Sequence, residues 1–197
     1  MPPLRLGVLA THPIQYFSPL YRRLDATPGV DLTVYFAHRP SATEQGVGFR
    51  LPFERDVDLT SGYRHVFLTN RARKPDLQAY AGVDPPEIGT IVARERFDAF
   101  VVSGWNTRSY WQAMRACWRT DTPVLVRGDS QLAPQSPVKA LVKRLTYPRV
   151  MRRFAACLAV GQRSAEYFRH YGARRVVRSP HFVDNEAFAS RAAAARA

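Results

Sequence analysis

Short apolar runs rich in β-branched residues alternate along this chain with longer stretches whose apolar positions recur every three to four residues. Leu4–Ala10 (LRLGVLA) reads as a strand, and 15–26 as a helix with Leu20 and Leu24 on one face. Further strands are expected at 30–37 (VDLTVYFA), 64–68, 97–103 (FDAFVVS), 123–127, 155–160 and 175–178. Helices are expected at 86–96, with Asp84 as its cap ahead of Pro85 and Pro86, and at 107–119. Others follow at 138–154, with a kink at Pro148, at 164–171 and at 186–197. Strands that stay apolar along their length are those covered on both faces, as in parallel sheets. The pattern therefore predicts an α/β protein: a Rossmann-like, doubly wound, mainly parallel sheet with helices on both faces. Ligands of such sheets bind at the strands' carboxyl ends, where strand order reverses. That nominates four loops: 11–15, 104–108, 128–135 and 161–164.

Residues 38–83 break the pattern, with Pro, Gly and charge scattered among aromatics. At 197 residues the chain suits one large domain, and 46% hydrophobic content supplies a core. No run approaches the roughly 18 apolar residues a membrane-spanning helix needs. The opening apolar stretch is too short for a secretory leader, so cytoplasmic residence is expected. Cys117 and Cys157 lie in apolar surroundings without a CxxC pattern and read as reduced packing residues.

Charge changes the picture more. Lys and Arg number 29 against 16 Asp and Glu, a net +13 that attracts phosphates, anionic lipid surfaces or nucleic acid. Arg-rich, Ala-rich usage from a GC-rich genome accounts for the same excess without any partner. The usual phosphate and catalytic signatures are missing. There is no Walker A loop, the first strand is followed by THPIQ instead of GxGxxG, and HExxH, GxSxG and Cys/His clusters are absent. Metal-dependent and serine hydrolysis lose support accordingly, and Gly46 with Gly48 forms only a weak glycine signal.

The segment THPIQYFSPLYRRL (11–24) resembles the start of many bacterial family 4 glycosyltransferases, in which T-H-P-x-Q-Y-x-x-P follows the opening strand. FDAFVVSGWNTRSYWQAM (97–114), PVLVRGDSQ (123–131) and AACLAVGQRSAEYFRHYG (155–172) extend the similarity in order and spacing. RVVRSPHFVDNEAF (175–188) looks like the family's interdomain connection, a variant of P-x-x-V-D-x-x-x-F. The resemblance implies one half of a GT-B fold, with a Rossmann-like N-terminal domain over 1–184 and the start of the connection over 185–197. It also implies that the C-terminal domain, with its E-x7-E carboxylates and Arg/Lys diphosphate clamp, lies beyond Ala197 or on another polypeptide. The implied activity is retaining transfer of a sugar from a nucleotide-sugar co-substrate to a glycan or lipid-linked acceptor, in polysaccharide or glycolipid assembly. No metal or other cofactor is expected, and the chain alone is expected to be inactive.

Within that implied cleft, the candidate acceptor-binding residues are His12, Gln15, Tyr16, Trp105, Asn106, Arg108, Arg127, Asp129 and Ser130. Glycosyl transfer passes through an oxocarbenium-like centre while a diphosphate leaves, so fixed dipoles, cations and a placed hydroxyl do the work. Each candidate keeps a structural alternative. His12 can be a turn residue before Pro13, Trp105 can cover the core instead of stacking on sugar, and Asp129 can pair with Arg127. Ser164 can simply cap its helix. No catalytic residue is assigned.

From Ser130 to Ala165 the chain has no Asp or Glu, yet it carries Lys139, Lys143, Arg144, Arg149, Arg152 and Arg153 among apolar residues. These are candidates for contact with an anionic membrane, at the inner face of which the protein would be peripheral. The alternative is a solvated helix whose apolar side packs on the sheet. Two other function classes remain open: a basic nucleic-acid-binding module, against which the lack of RNP, KH or helix-turn-helix signatures argues, and a non-catalytic, membrane-recruited partner of a split transferase.

Overall fold

The computed structural model describes residues 2–39 and 58–181, together with Asn185, Ala189 and Ala193, which are helical. The described residues form a seven-stranded sheet in which every pairing is parallel. Its strands are β1 (Leu4–Ala10), β2 (Val30–Phe36), β3 (His65–Phe67), β4 (Ala99–Val102), β5 (Val124–Gly128), β6 (Ala156–Ala159) and β7 (Val176–Arg178). They lie in the order β3-β2-β1-β4-β5-β6-β7. The chain winds outward from β1 through β2 to β3, returns to β4 beside β1, then winds the other way. Strand order thus reverses between β1 and β4, the doubly wound topology expected.

Helices α1 (Ser18–Asp25), α2 (Ile88–Glu95), α3 (Arg108–Arg119), α4 (Pro137–Met151) and α5 (Gln162–His170) connect the strands. Alternation along each strand divides the core between the two faces. Val8, Ala10, Leu32, Val34 and Phe36 pack with Phe17 and Tyr21 of the α1 segment. Leu9, Tyr35, Phe100, Val102, Val124, Val126 and Cys157 pack on the opposite face with Val92, Met114, Cys117 and Phe168. Gly7 sits mid-strand because the rings of Phe97 and Phe100 occupy its side-chain space; a Cβ there would lie 2.4 Å from the Phe100 ring. Cys117 and Cys157 are both buried and unbridged, and burial pushes both thiols up to about 12.

Several local expectations change. Helix α1 begins at Ser18, not residue 15, because the chain first closes a turn in which Phe17 and Ser18 N–H groups both reach the Ile14 carbonyl. Pro19 then falls in the first helical turn, where its missing N–H costs nothing. Asp84 does not cap α2: the residue flanking that helix is Glu87, and the Asp84 carboxylate instead accepts from Arg108 Nη1 (2.8 Å) and Gln112 Nε2 (2.7 Å) of α3. Ser164 is not the N-cap itself, a place Gly161 takes. It sits three residues into α5, where its hydroxyl accepts from the Gly161 N–H and donates to the Gly161 carbonyl, both at 2.9 Å. Helix α4 runs through Pro148 and ends at Met151. The Gly46 and Gly48 pair, the V-D motif at 183–184 and most of the expected 186–197 helix lie outside the described residues.

Candidate functional site

Because all seven strands point the same way, their carboxyl ends share one edge, and a cleft of about 860 Å³ opens there. Its floor is the strand tips: Ala10 at the end of β1 and Thr11 after it, Ser103 after β4, Arg127 and Gly128 at the end of β5, Val160 after β6 and His181 after β7. It straddles the β1–β4 boundary, the point where doubly wound sheets bind ligands.

Of the predicted residues, His12, Tyr16, Asn106, Arg127 and Asp129 line this cleft. The His12 Nδ1 lies 3.0 Å from the Thr11 hydroxyl. Asn106 and Asp129 are exposed to the opening. The other four candidates are not among its lining residues. Gln15 is exposed one residue before Tyr16. Trp105 turns toward the core, its ring against those of Tyr147, Phe154, Tyr167 and Phe168, while its carbonyl accepts from Trp111 Nε1 (2.8 Å). Its alternative role, covering the core, is the one the structure adopts. Arg108 is held outside by Asp84, and Ser130 follows Asp129 beyond the rim.

Arg127 is 5% exposed and its neighbours are unusual. Its guanidinium does not pair with Asp129. Nε donates to the Ser179 hydroxyl (3.2 Å), Nη2 donates to the carbonyls of Ser179 (3.0 Å) and Pro180 (2.9 Å), and the group lies 4.7 Å from the Phe17 ring centre. Burial pulls its pKa down from the usual arginine value, against which Tyr21 and Asp129 act. An arginine stays protonated regardless. Arg127 therefore ties the segment leaving β7 to the tip of β5 and leaves a positive charge in the cleft floor. His181, brought in by that tie, faces Tyr16 at 4.3 Å between ring centres. Desolvation first, then the charge of Arg127, hold its imidazole below the usual histidine value, with Asp129 opposing.

The outer wall was not legible in the sequence. It consists of Arg39, Leu59, Thr60, Phe67 and residues 75–78. Asn70 organises it: its Oδ1 accepts from the N–H groups of Ala72 (3.0 Å) and Asp84 (2.9 Å), and its Nδ2 donates to the Gly82 carbonyl (2.9 Å). The Asp76 N–H reaches that same carbonyl (3.2 Å), so close that a side chain on Gly82 would strike the Asp76 carbonyl oxygen at 2.0 Å. Leu59 is tied to α1 by the Ser18 hydroxyl, which donates to its carbonyl at 2.7 Å. Arg39 lies 3.7 Å over the Phe67 ring. Deeper in, burial pushes the Tyr110 phenol up to about 12, opposed by hydrogen bonding to Thr11. His181, Arg39, Asp76 and Tyr110 are the charged or titratable lining residues that sequence reasoning missed. The first three lie outside the four nominated loops, in segments without periodicity, and Tyr110 lies inside helix α3.

The cleft thus offers two buried or ring-bound cations, two carboxylates, two amides, two imidazoles and a tyrosine face. That mixture suits a polyhydroxyl ligand, whose hydroxyls need both donors and acceptors and whose apolar ring faces pack on aromatics. Among the described residues, no three His, Cys, Asp or Glu side chains gather as a metal site. No family model matches the chain, and no curated protein matches it at a significant level.

Proposed function

We propose that this chain is the acceptor-side half of a retaining, GT-B type glycosyltransferase that moves a sugar from a nucleotide-sugar to a glycan or lipid-linked acceptor. The observation that carries the reading is the open cleft at the β1–β4 reversal, lined by Tyr16 and His181 rings beside Asn106, Asp129 and Arg127. The segments that resemble family 4 glycosyltransferases supply three of its walls: residues 11–24, 97–114 and 123–131. In this reading Tyr16 and His181 form a face for the acceptor sugar, and Asn106 and Asp129 orient its hydroxyls. The Arg127 charge favours the diphosphate side of the reaction, as fixed cations near a leaving anion do. Donor binding belongs to a second domain.

Calorimetric titration tests this division. Oligosaccharide acceptors should bind weakly, with affinity reduced at least about ten-fold in Tyr16→Ala, the loss expected on removing one aromatic–sugar contact. UDP- and GDP-sugars should show no strong binding to this chain. Tight, sugar-specific nucleotide binding by the chain alone would contradict the proposal, as would saccharide binding indifferent to Tyr16 and Asp129.

A further inference from the structure

Helix α4 carries two apolar faces, and only one of them has a partner. Toward the protein, Tyr147 and Val150 pack on the core and Met151 is buried. Away from it, Val138 is 73% exposed, Leu141 56%, Val142 53% and Leu145 55%. At the helical step of about 100° per residue these four fall within an arc of roughly 100°, opposite the packed face. The apolar side that would be expected to rest on the sheet thus points to solvent. Leu132, in the preceding loop, is also 49% exposed.

The cations sort around this stripe. Lys139 and Arg144 are exposed on its two flanks, and Arg149 and Arg152 are exposed at its C-terminal end. Three have partners within the chain: Lys143 lies 5.5 Å from the Tyr147 ring, Arg153 lies 4.0 Å from the Trp118 ring, and Arg149 also donates from Nη1 to the Leu145 carbonyl one turn back. No carboxylate occurs from Ser130 to Ala165, and among the described residues none of these cations forms an ion pair.

We propose that the outward face of α4 docks on an anionic phospholipid bilayer, with Val138, Leu141, Val142 and Leu145 entering the headgroup boundary and Lys139, Arg144, Arg149 and Arg152 meeting lipid phosphates. An apolar stripe bordered by cations, on a helix lying flat, is the arrangement an interface between water and anionic lipid selects. Charge decides against a second copy of the chain, which would bring uncompensated cations against the same cations. No helix among the described residues is long and apolar enough to cross a membrane, so the contact is peripheral. Helix α4 starts at the sheet edge that bears the cleft, since it follows β5, whose tip residues Gly128 and Asp129 line it. Docking would therefore bring the cleft edge close to the headgroup plane. This inference does not depend on the proposed activity.

Co-sedimentation of the chain with vesicles of phosphatidylcholine, with and without phosphatidylglycerol, tests it. Binding should require phosphatidylglycerol and weaken as salt rises. Lys139→Gln with Arg144→Gln should weaken it about thirty-fold, at about five-fold per cation. Leu141→Ser with Leu145→Ser should weaken it at least about one hundred-fold, because each leucine contributes its transfer from water. All four positions are exposed, so circular dichroism should be unchanged in both variants. The proposal fails if the chain stays in the supernatant, or if the leucine variant binds as well as the original, which would indicate simple electrostatic adsorption. It also fails if light scattering shows a dimer that the leucine variant abolishes, or if an acidic protein, and not the vesicles, is held through this stripe.

Discussion

Helices α3 and α4 leave neighbouring strand tips and both carry cations among apolar residues, yet α3 gathers its apolar residues on one side while α4 spreads them over two, and they bury themselves very differently. Helix α3 places Ser109, Tyr110, Ala113, Met114, Ala116 and Cys117 in the interior, whereas α4 buries only Met151. Their starting points differ in the same sense. Helix α3 is entered through the buried Thr107–Ser109 hydroxyl pair (2.8 Å) and fastened by Asp84. Helix α4 is entered through exposed residues and capped by Ser136, whose hydroxyl accepts from the Lys139 N–H at 3.4 Å. Helical amphipathicity therefore states that a helix has an apolar side, and not which surroundings that side meets. One helix is structural throughout; the other has a side available for a partner.

The largest test of that contrast compares truncations. Met114→Ala should lower unfolding free energy by ~2–5 kcal/mol in a urea titration, since it opens a cavity in a close-packed region. Leu145→Ala should change it by no more than ~0.5 kcal/mol. Equal losses would mean that α4 packs as α3 does. Next comes the tip from which α4 departs. Arg127→Ala should cost ~2–3 kcal/mol, because the Ser179 and Pro180 carbonyls lose a charged donor, and limited proteolysis should then cut near residue 180. Arg127→Lys should not restore the original resistance, for one ammonium cannot reach Ser179 and Pro180 with the guanidinium's geometry.

The smallest effect concerns pH. Folding holds the His181 imidazole below its usual value, so the unfolded chain takes up that proton first. The sign follows: stability is fully retained above the ordinary histidine value of ~6.5 and declines as pH falls through and below it. Comparing melting temperatures of the original chain and His181→Gln across that window isolates the contribution. A difference growing with rising pH would reverse the assignment.

The sheet was readable in the sequence because parallel strands need continuous apolar runs, and LRLGVLA and VDLTVYF coincide with β1 and β2. The loops at strand tips were readable for the same reason: they begin where such runs stop. What those loops do was only half readable. Trp105 occupies a strand mouth whether it faces sugar or core, and the choice is made by Tyr147, Phe154 and Phe168, residues that sequence places far away. Asp84 precedes a helix, as caps do, but Arg108 and Gln112 on another helix claim its carboxylate. The wall built on Asn70 follows no long period, since its order comes from side-chain bonds to a backbone whose one helical piece there is the short 3-10 turn Tyr80–Gly82.

The uniform direction of the seven strands has a consequence for how this architecture can change. The turns at the amino-end edge are short, as between Asp25 and Val30 or between Arg119 and Val124, and they leave no space for novelty. The opposite edge holds the longer excursion, from β3 to α2. Insertions or replacements there leave the ladder intact, so new ligand preferences can be grafted on one rim while the scaffold beneath is inherited unchanged.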